Sequence, residues 1–526
     1  MKFRNETELL NYTENIKGKT FKEIDSKKLL ENNSMKRRKG LPGQIVETGF
    51  YQYPLNNKSE ADFNELGIEL KVTGFIRNKN NTLRAKERLV LSKINYHDII
   101  NETYENSHLI DKNKKLLIIW YEYEKGKTLG EFQIKDYQLY DMSQDAEIFE
   151  NDFNIIKEKV KEGLAHELSE GDTSYLGACT KAATSKDRTT QPYSEINAKP
   201  RAFALKNSYM TGILRENNTY ETIKENLNKK PKTKSSQHKT QPPKNTNKTT
   251  PKDKTKQAIT PKPKSENKTQ PPKNTNKTTP KNKTKQTITP KRLHKSKIPQ
   301  YTPYNNTKEK IKTIDSYIYN KMKKYIGESQ IEIYEKITEN KITGSIPKNI
   351  SKMISDKIIG KDKDLPNIND IFKKTSFIIK NVPVDVDYNP LERMSFKTIS
   401  LSDFEDEWED SYWKTYFEET TLLVICYEGK KGSKNGERTL KGIKKISFND
   451  KDLDSFKKTY IKVKEAIKER DFNLMPTPKS FDGQILEIAP KGRKGDDAYN
   501  NFFKKDKTKV AFMLTKDLLR EKLQKS

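Results

Sequence analysis

The chain has 526 residues and a formal net charge of +30, from 103 Lys and Arg against 73 Asp and Glu. Because only 32% of the residues are hydrophobic, we expect two or three domains and a sizeable part outside any core. The two cysteines, one in each half, exclude a disulfide framework and a structural zinc site, and no stretch approaches the ~18 apolar residues that span a bilayer. These features predict a cytoplasmic protein without membrane segments, whose partner is a polyanion such as nucleic acid.

The first 50 residues predict short helices followed by a glycine-containing loop. Apolar residues at helical spacing indicate helix over residues 5–32. The segment Lys39–Glu47 then passes from basic residues and glycines into an apolar run, which we interpret as a loop that enters a helix. Glu47 lies inside that helix. An acid there usually faces solvent, so it gains interest only if it points at a site formed by the next segment.

The segment Asp62–Val72 has the strongest chemical signal in the sequence. Apolar and polar residues alternate from residue 68 onward, which predicts a half-buried strand with Glu69 and Lys71 on the same side, ~7 Å apart. Asp62 lies one loop upstream and can fold back beside them. Two carboxylates and an ammonium suit phosphodiester hydrolysis. The acids can hold Mg²⁺, which lowers the pKa of a bound water, and the lysine can orient that water.

The Glu-x-Lys pattern on its own indicates little. A third of all residues are charged, and the same pattern recurs at Glu266, Glu339 and Glu428. A solvated strand face explains it equally well, so the sequence on both sides of Asp62–Val72 has to decide.

Two further strands are expected after this segment. Residues 87–94 predict one strand, and the apolar run Lys115–Tyr121 predicts a central strand buried on both faces. Lys112 stands just before the second strand, where its side chain can reach the edge of the same site. An ordinary surface lysine is the alternative at this position.

Two later segments are candidates for DNA contacts. An amphipathic helix is expected over residues 152–168, and segments 175–184 and 201–209 then mix small, basic and aromatic residues. Their basic residues include Lys181, Arg201 and Lys206. A helix end that packs on the core explains these segments about as well.

Residues 229–297 differ in composition from the rest of the chain. They contain 22 Lys and Arg against two acids, Asp253 and Glu266, which gives +20 of the total +30, and they have no aromatic residue. Lys239–Lys262 recurs almost unchanged at Lys268–Lys291. Because these repeats lack apolar faces that could stack, we predict a disordered polycationic linker that binds DNA phosphates non-specifically.

Residues 308–526 repeat the plan of the first half. The buried strand Thr421–Glu428 matches the run that begins at Lys115, and Thr375–Lys380 stands where the first half has Gly67–Lys71. Ile378 replaces Glu69 there, and no lysine stands near Glu418, where Lys112 would fall. Since isoleucine cannot ligate a metal, we infer a diverged copy that keeps the fold without the chemistry. We therefore predict an α/β protein with a catalytic domain at 1–225, a linker at 226–305 and a degenerate domain at 306–526.

The first half resembles the MutH family, which comprises a mismatch-repair nicking endonuclease and type II restriction enzymes that cut at GATC. The resemblance rests on Lys39–Glu47, Glu60–Lys71 and Ser107–Lys112, which occur in family order and at family spacing. The block from Asp62 to Lys71 is far more specific than Glu-x-Lys alone. The layout with a degenerate second copy is similar to the larger restriction enzymes of this family.

The resemblance implies a restriction-endonuclease-like core in each half and Mg²⁺-dependent cleavage of double-stranded DNA at GATC. On that basis Asp62 and Glu69 would be metal ligands and Lys71 would orient the attacking water. Glu47 and Lys112 match further active-site positions of the family.

The resemblance also bears on DNA binding and on partners. Lys181 and Lys206 match basic residues in the family's DNA-binding segments, whereas Ala204 stands where the nicking enzyme has an aromatic DNA contact. The second domain would bind another GATC site and stimulate cleavage, as in two-site enzymes. A dimer on DNA and a cognate DNA methyltransferase as genetic partner are further implications. The Lys/Thr/Pro repeat departs from the family pattern.

Two other functions stay open on the sequence. One is a mismatch-repair-type nicking endonuclease specific for GATC. The other is a non-catalytic DNA-binding protein in which the basic linker provides most of the affinity.

Overall fold

The computed structural model describes residues 2–31, 40–54, 60–78, 81–182, 184, 186–228, 314–360, 374–434, 436–478, 485–491, 499, 502–503 and 508–525. Met1–Asn226 and Thr307–Ser526 together form one compact unit, and Leu227–Asn306 is a second unit. The repeat that we expect to be a disordered linker lies outside the described residues. The linker and the domain borders therefore stay predictions.

The first half begins with helices and then mixes strands and helices. Its elements are α1 (Glu6–Thr13), α2 (Phe21–Ile24), α3 (Leu41–Ile45) with a π-helical turn (Val46–Phe50), β1 (Ile68–Arg77), β2 (Leu83–Ala85), β3 (Leu89–Lys93), α4 (Tyr96–Ile99), α5 (His108–Asn113), β4 (Lys115–Glu122), β5 (Gln133–Asp141), α6 (Ala146–Lys161), β6 (Leu176–Thr180), β7 (Thr189–Gln191), β8 (Ser194–Ala198), β9 (Arg201–Leu205) and α7 (Asn207–Asn228).

Helix α6 is displaced from its predicted range of 152–168. It begins at Ala146, because Phe149 continues the buried stripe toward the N-terminus, and it ends at Lys161, just before Gly163. Gly163 has a φ of +73°, a left-handed conformation that ends helices. Among the described residues, no helix combines the length and the apolar character needed to cross a membrane.

A mixed four-stranded sheet with the order β2-β1-β4-β5 lies at the centre of the first half. Strands β1 and β4 are parallel and start together, with Ile68 opposite Lys115 and Glu69 opposite Leu116. One hydrophobic cluster takes residues 116, 118 and 120 of β4, and another takes residues 117, 119 and 121. This confirms the prediction of a central strand buried on both faces. A second sheet has the order β3-β9-β6.

The second half repeats this arrangement. Its sheets have the orders β10-β12-β13 and β11-β15-β14, which correspond to β1-β4-β5 and β3-β9-β6. The predicted duplication of an α/β plan is therefore confirmed. The elements of this half are α8 (Ile314–Met322), α9 (Gln330–Thr338), α10 (Ile350–Ile359), β10 (Phe377–Val384), β11 (Met394–Thr398), α11 (Tyr412–Glu419), β12 (Thr421–Glu428), β13 (Thr439–Ile446), α12 (Asp450–Lys468), β14 (Leu486–Pro490), β15 (Val510–Leu514) and α13 (Lys516–Lys525).

The two halves share a hydrophobic core and a buried set of ion pairs. One core cluster joins Phe203 and Tyr209 of the first half to Leu423 and Ile425 of the second. The guanidinium of Arg88 lies between two carboxylates, one from each half. It pairs with Glu170 and lies 2.9 Å from Oε2 of Glu418. Both carboxylates are less than 10% exposed and share Arg88 as a cation, and Glu418 also pairs with Lys414 at 2.9 Å.

We predict that Arg88→Ala lowers the free energy of unfolding of the full chain by about 3–5 kcal/mol, because it leaves Glu170 and Glu418 buried without their shared cation. Urea denaturation followed by circular dichroism measures the change. Lys462→Ala is the control, since Lys462 on α12 is half exposed and pairs with Glu465 at 3.1 Å. Its loss should cost less than about 1 kcal/mol. An equally small cost for Arg88→Ala would show that the bridge does not stabilise the contact between the halves.

Candidate active site

A tight turn brings Asp62 beside Glu69. Phe63 and Ile68 exchange two backbone hydrogen bonds, of 2.9 Å from Phe63 N and 3.3 Å from Ile68 N. Gly67 closes the turn with a φ of +63°, in the left-handed region that glycine adopts most readily. Asp62 and Glu69, which flank this bridge, therefore face each other. The sequence predicts this arrangement, in which Asp62 folds back beside Glu69.

Glu69 is the centre of the resulting hydrogen-bond network. Its Oε2 accepts a hydrogen bond of 3.2 Å from the backbone N–H of Asp62, and Oδ2 of Asp62 accepts one of 2.9 Å from the backbone N–H of Leu70. The other carboxylate oxygen of Glu69, Oε1, lies 2.9 Å from Nζ of Lys71 and 3.5 Å from Nζ of Lys112. Glu69 is only 4% exposed, so these partners replace the water that its carboxylate loses on burial.

Helix α5 places Lys112 at this network. Its N-terminus is capped by Ser107, whose Oγ accepts a hydrogen bond from the backbone N–H of Ile110, and the helix ends at Asn113, directly before β4. Because β1 and β4 are parallel and begin side by side, a residue just before β4 lies near the start of β1. The structure thus brings Lys112 to the position that the sequence predicts.

Glu47 is located on a π-helical turn that continues α3. Within Val46–Phe50 the hydrogen bonding lengthens, and the N–H of Tyr51 donates to the carbonyl oxygen five residues earlier at 3.0 Å. Single π turns are frequent at functional sites. Gly49 allows this turn to pack directly on α2, since a Cβ there would lie 2.2 Å from the carbonyl oxygen of Ile24.

The charges of Glu47, Asp62 and Glu69 act on one another. Burial raises the pKa of Glu47 to about 7, and the charges of Asp62 and Glu69 add to the shift. Burial and the charge of Glu69 raise the pKa of Asp62 to about 6, although the hydrogen bond from Leu70 and the two lysines oppose them. With every group ionised, three carboxylates face two ammonium groups and the site has a formal charge of −1. A partly buried site of this kind favours an added cation.

Asp62 and Glu69 are the residues that fit a divalent metal ion. Mg²⁺ prefers oxygen ligands and is commonly held by one or two carboxylates, with water and substrate phosphates at its other positions. The raised pKa of Asp62 is consistent with such a role, because a nearby cation would relieve the crowding of negative charge. Among the described residues, no group of three or more His, Cys, Asp or Glu side chains is arranged to hold a metal.

A cleft of about 430 Å³ opens beside Lys112. Lys93, His108 and Phe203 are among the residues that line it, and a ring nitrogen of His108 pairs with Glu102, which also lines the cleft. These residues are not among the site residues predicted from the sequence, although His108 lies in Ser107–Lys112 and Phe203 in segment 201–209. Their only signal is position, since Lys93 ends a strand and His108 begins the helix that carries Lys112.

The three predicted DNA-binding residues differ in exposure. Lys181 follows β6 and faces solvent. Arg201 is 3% exposed, with Nη2 3.3 Å from a carboxylate oxygen of Asp450 in the second half. Lys206 is fully buried, its Nζ donates to the carbonyl oxygen of Thr173 at 2.5 Å, and burial lowers its pKa. The side chains of Arg201 and Lys206 point inward and pair with acceptors of the protein itself, and their predicted DNA contacts stay predictions. Lys181 alone is placed to meet DNA, and its role stays a prediction.

Among the described residues, the second half differs from the first at two positions of the site. In the parallel pair of β10 and β12, Ile378 lies opposite Leu422, as Glu69 lies opposite Leu116 in the first half. The same register places Lys380 at the position of Lys71. Counting back from the start of β12 places Glu418 at the position of Lys112. As the sequence predicts, an apolar residue stands at the position of Glu69 and no lysine at that of Lys112.

Comparison with known proteins supports a nuclease. The family model described as DNA mismatch repair enzyme MutH matches residues 51–152, a range that includes Asp62, Glu69, Lys71 and Lys112. The type II restriction enzyme Sau3AI of Staphylococcus aureus is 30% identical over 452 residues, which cover 82% of this chain and 75% of that enzyme. The DNA mismatch repair proteins MutH of Vibrio vulnificus and Pasteurella multocida are 30% and 28% identical, each over 216 residues or 40% of this chain. These matches cover 92% and 95% of the two proteins, respectively.

We predict that Lys181 and Lys206 react differently with an amine-acetylating reagent in the native, DNA-free protein. Mass spectrometry should find Lys181 acetylated rapidly and Lys206 unmodified, because the ammonium of Lys206 has no access to solvent. Denatured protein is the control, in which both lysines should react. Comparable native rates at the two positions would contradict the burial of Lys206.

Proposed function

Since the chain belongs to the family that contains MutH and the type II restriction enzyme Sau3AI, we propose that it is a type II restriction endonuclease that cleaves both strands of DNA at GATC. As a member of this family it is a site-specific deoxyribonuclease. The proposal adds the recognition sequence, a requirement for Mg²⁺ and the roles of individual residues.

One observation carries the proposal, namely the meeting of Asp62, Glu69 and Lys71 at the start of β1. Asp62 and Glu69 would hold Mg²⁺. When bound, this ion would lower the pKa of a coordinated water and place a positive charge beside the scissile phosphate. Lys71 is held by Glu69 at 2.9 Å, so its ammonium would orient the attacking water and stabilise the negative charge that grows on the phosphate oxygens. Lys112 would add a second positive charge on the same side.

The charges of the site suit a metal ion and one phosphate together. The formal charge of −1 that Glu47, Asp62, Glu69 and the two lysines give becomes +1 with a divalent cation. A phosphodiester then brings the sum to zero. A phosphate alone would instead raise the negative charge to −2, so the site disfavours DNA phosphate without a metal.

We propose an effector role for the second half, in which a second GATC site binds and stimulates cleavage in the first. The duplicated fold without its catalytic glutamate supports this role, as does the continuous core that joins the halves. A DNA methyltransferase that protects GATC sites would be the genetic partner, and a dimer on DNA would be a further assembly. Lys181 would contact DNA directly, whereas Arg201 and Lys206 would need the contact with Asp450 and Thr173 to open.

We predict that Mg²⁺ raises the melting temperature of the DNA-free protein and that Asp62→Asn and Glu69→Gln abolish this shift. Each variant removes one carboxylate that would bind the metal ion. Mg²⁺ stabilises the folded protein only if it binds the folded protein, so the shift should disappear. Differential scanning fluorimetry with and without Mg²⁺ measures the shift. In cleavage assays with GATC-containing duplex, Glu69→Gln and Lys71→Met should lose at least ~10²-fold in rate.

The control for these variants is Glu65→Gln. Glu65 lies in the same turn, but it is half exposed and pairs with Lys2. It should keep both the thermal shift and the cleavage. Full cleavage by Glu69→Gln, or cleavage of a duplex in which GATC is permuted, would refute the proposal.

We also predict that a short GATC duplex, added in trans, stimulates cleavage of a plasmid with a single GATC site. A permuted duplex is the control and should have no effect. Gel electrophoresis then separates nicked from linear product. Linear product supports a restriction enzyme, whereas nicked product alone supports the mismatch-repair-type nickase. The absence of stimulation by the GATC duplex would contradict the effector role.

A further inference from the structure

A second group of lysines lies in the second half, at the position that corresponds to the active site. Lys380 takes the place of Lys71, as the register of β10 with β12 shows. Strand β14 pairs with β15 as β6 pairs with β9, so Lys491 follows β14 just as Lys181 follows β6. The backbone N–H groups of Lys491 and Lys181 each donate a hydrogen bond of 2.8 Å to the residue before the partner strand. Two separate basic positions of the first half are therefore retained.

The two ammonium groups bind carbonyl oxygens of consecutive residues. Nζ of Lys380 donates to the carbonyl oxygen of Ser395, and Nζ of Lys491 donates to that of the next residue, Phe396. Nζ of Lys380 also lies 5.6 Å from the centre of the Phe396 ring. These contacts fix both amines on one short stretch of β11.

Lys380 lacks the acid that compensates its counterpart Lys71. Ile378 stands where Glu69 binds Lys71 and Lys112 in the first half. Burial and the charge of Lys491 lower the pKa of Lys380 to about 8, and among the described groups no carboxylate offsets this effect. Burial also lowers the pKa of Lys491. Two adjacent, partly desolvated cations of this kind are stabilised by an anion.

Aromatic side chains fill the space next to this pair. Phe396 and Phe512 correspond in register to Leu91 and Phe203, which line the cleft of the first half. The rings of Phe396 and Phe417 are 5.2 Å apart, and those of Trp413 and Phe512 are 4.8 Å apart. The space that the cleft occupies in the first half is thus packed with rings, and the ammonium pair remains beside it.

We propose that Lys380 and Lys491 together bind one phosphate of a DNA backbone without a metal ion. Phosphate oxygens would accept charge-assisted hydrogen bonds from both ammonium groups, and the anion would neutralise part of their mutual repulsion. The degenerate site thereby becomes a phosphate-binding site. This inference rests on the proposed function in one respect, namely that the second half binds DNA.

Amine acetylation of the full chain in EDTA tests the site directly. Saturating GATC duplex should slow the acetylation of Lys380 and Lys491 severalfold, while Lys462, which is half exposed on α12, keeps its rate. Unchanged rates at Lys380 and Lys491 would overturn the proposal. Equal protection by inorganic phosphate alone would also overturn it, because the site would then bind a small anion rather than DNA.

The variants Lys380→Gln and Lys491→Gln test the energetics. The slope of the logarithm of the DNA-binding constant against that of the salt concentration should fall by about 1 for each variant, as expected when one phosphate contact is lost. Lys462→Gln is the matched control and should keep the wild-type slope. Because Lys491 is exposed, its variant reports on binding even if Lys380→Gln unfolds the half. Wild-type slopes in both variants would overturn the proposal.

The stoichiometry of binding separates this inference from the effector role. If the wild-type chain binds two GATC duplexes and both lysines stay unprotected, the effector role stands and the phosphate site is refuted. If permuted duplex protects both lysines as well as GATC duplex does, the phosphate site stands and the GATC-specific effector role is refuted. Binding of one duplex without protection of either lysine refutes both.

Discussion

The active site depends on the closure of one turn, between Asp62 and Leu70. The backbone bridge of Phe63 and Ile68 and the left-handed Gly67 bring the Asp62 carboxylate onto the N–H of Leu70. Asp62 is thereby fixed to β1 itself by a hydrogen bond to its backbone. Side chains that are fixed on a strand by backbone hydrogen bonds hold a catalytic geometry better than side chains on loops. Glu69 and Lys71 belong to the same strand, so all three groups move together.

The two copies of the fold have opposite local charge. In the first half the acids outnumber the lysines, which is why we propose that a cation binds there together with a phosphate. In the second half, Ile378 removes the central acid while Lys380 and Lys491 remain, so a phosphate can bind directly. The replacement of Glu69 by Ile378 is thus one of the differences between a site that suits a metal ion and a site that suits binding alone. The backbone register is the same in both.

Features that depend on residues close together in the sequence were predictable. The alternation of apolar and polar residues predicts that Glu69 and Lys71 lie on the same face of a strand. The apolar run that begins at Lys115 predicts the central strand, and Lys112 lies just before it. The inward orientation of Arg201 and Lys206 was not predictable. It depends on acceptors such as Asp450 and Thr173, which are far away in the chain or in irregular backbone. The sequence also gives no sign of the π-helical turn of Glu47, because such a turn depends on packing against α2.

The residue at the position of Lys112 has a different partner in each copy of the fold. In the first half this lysine pairs with Glu69. In the second half Ile378 stands at the position of Glu69, so a lysine at the corresponding position would be buried without an acidic partner on that strand. Glu418 stands at this position instead and pairs with Lys414 of its own helix and with Arg88 of the first half. With an apolar residue at the position of Glu69, no carboxylate of that strand requires a lysine here, and the carboxylate of Glu418 joins the two copies instead.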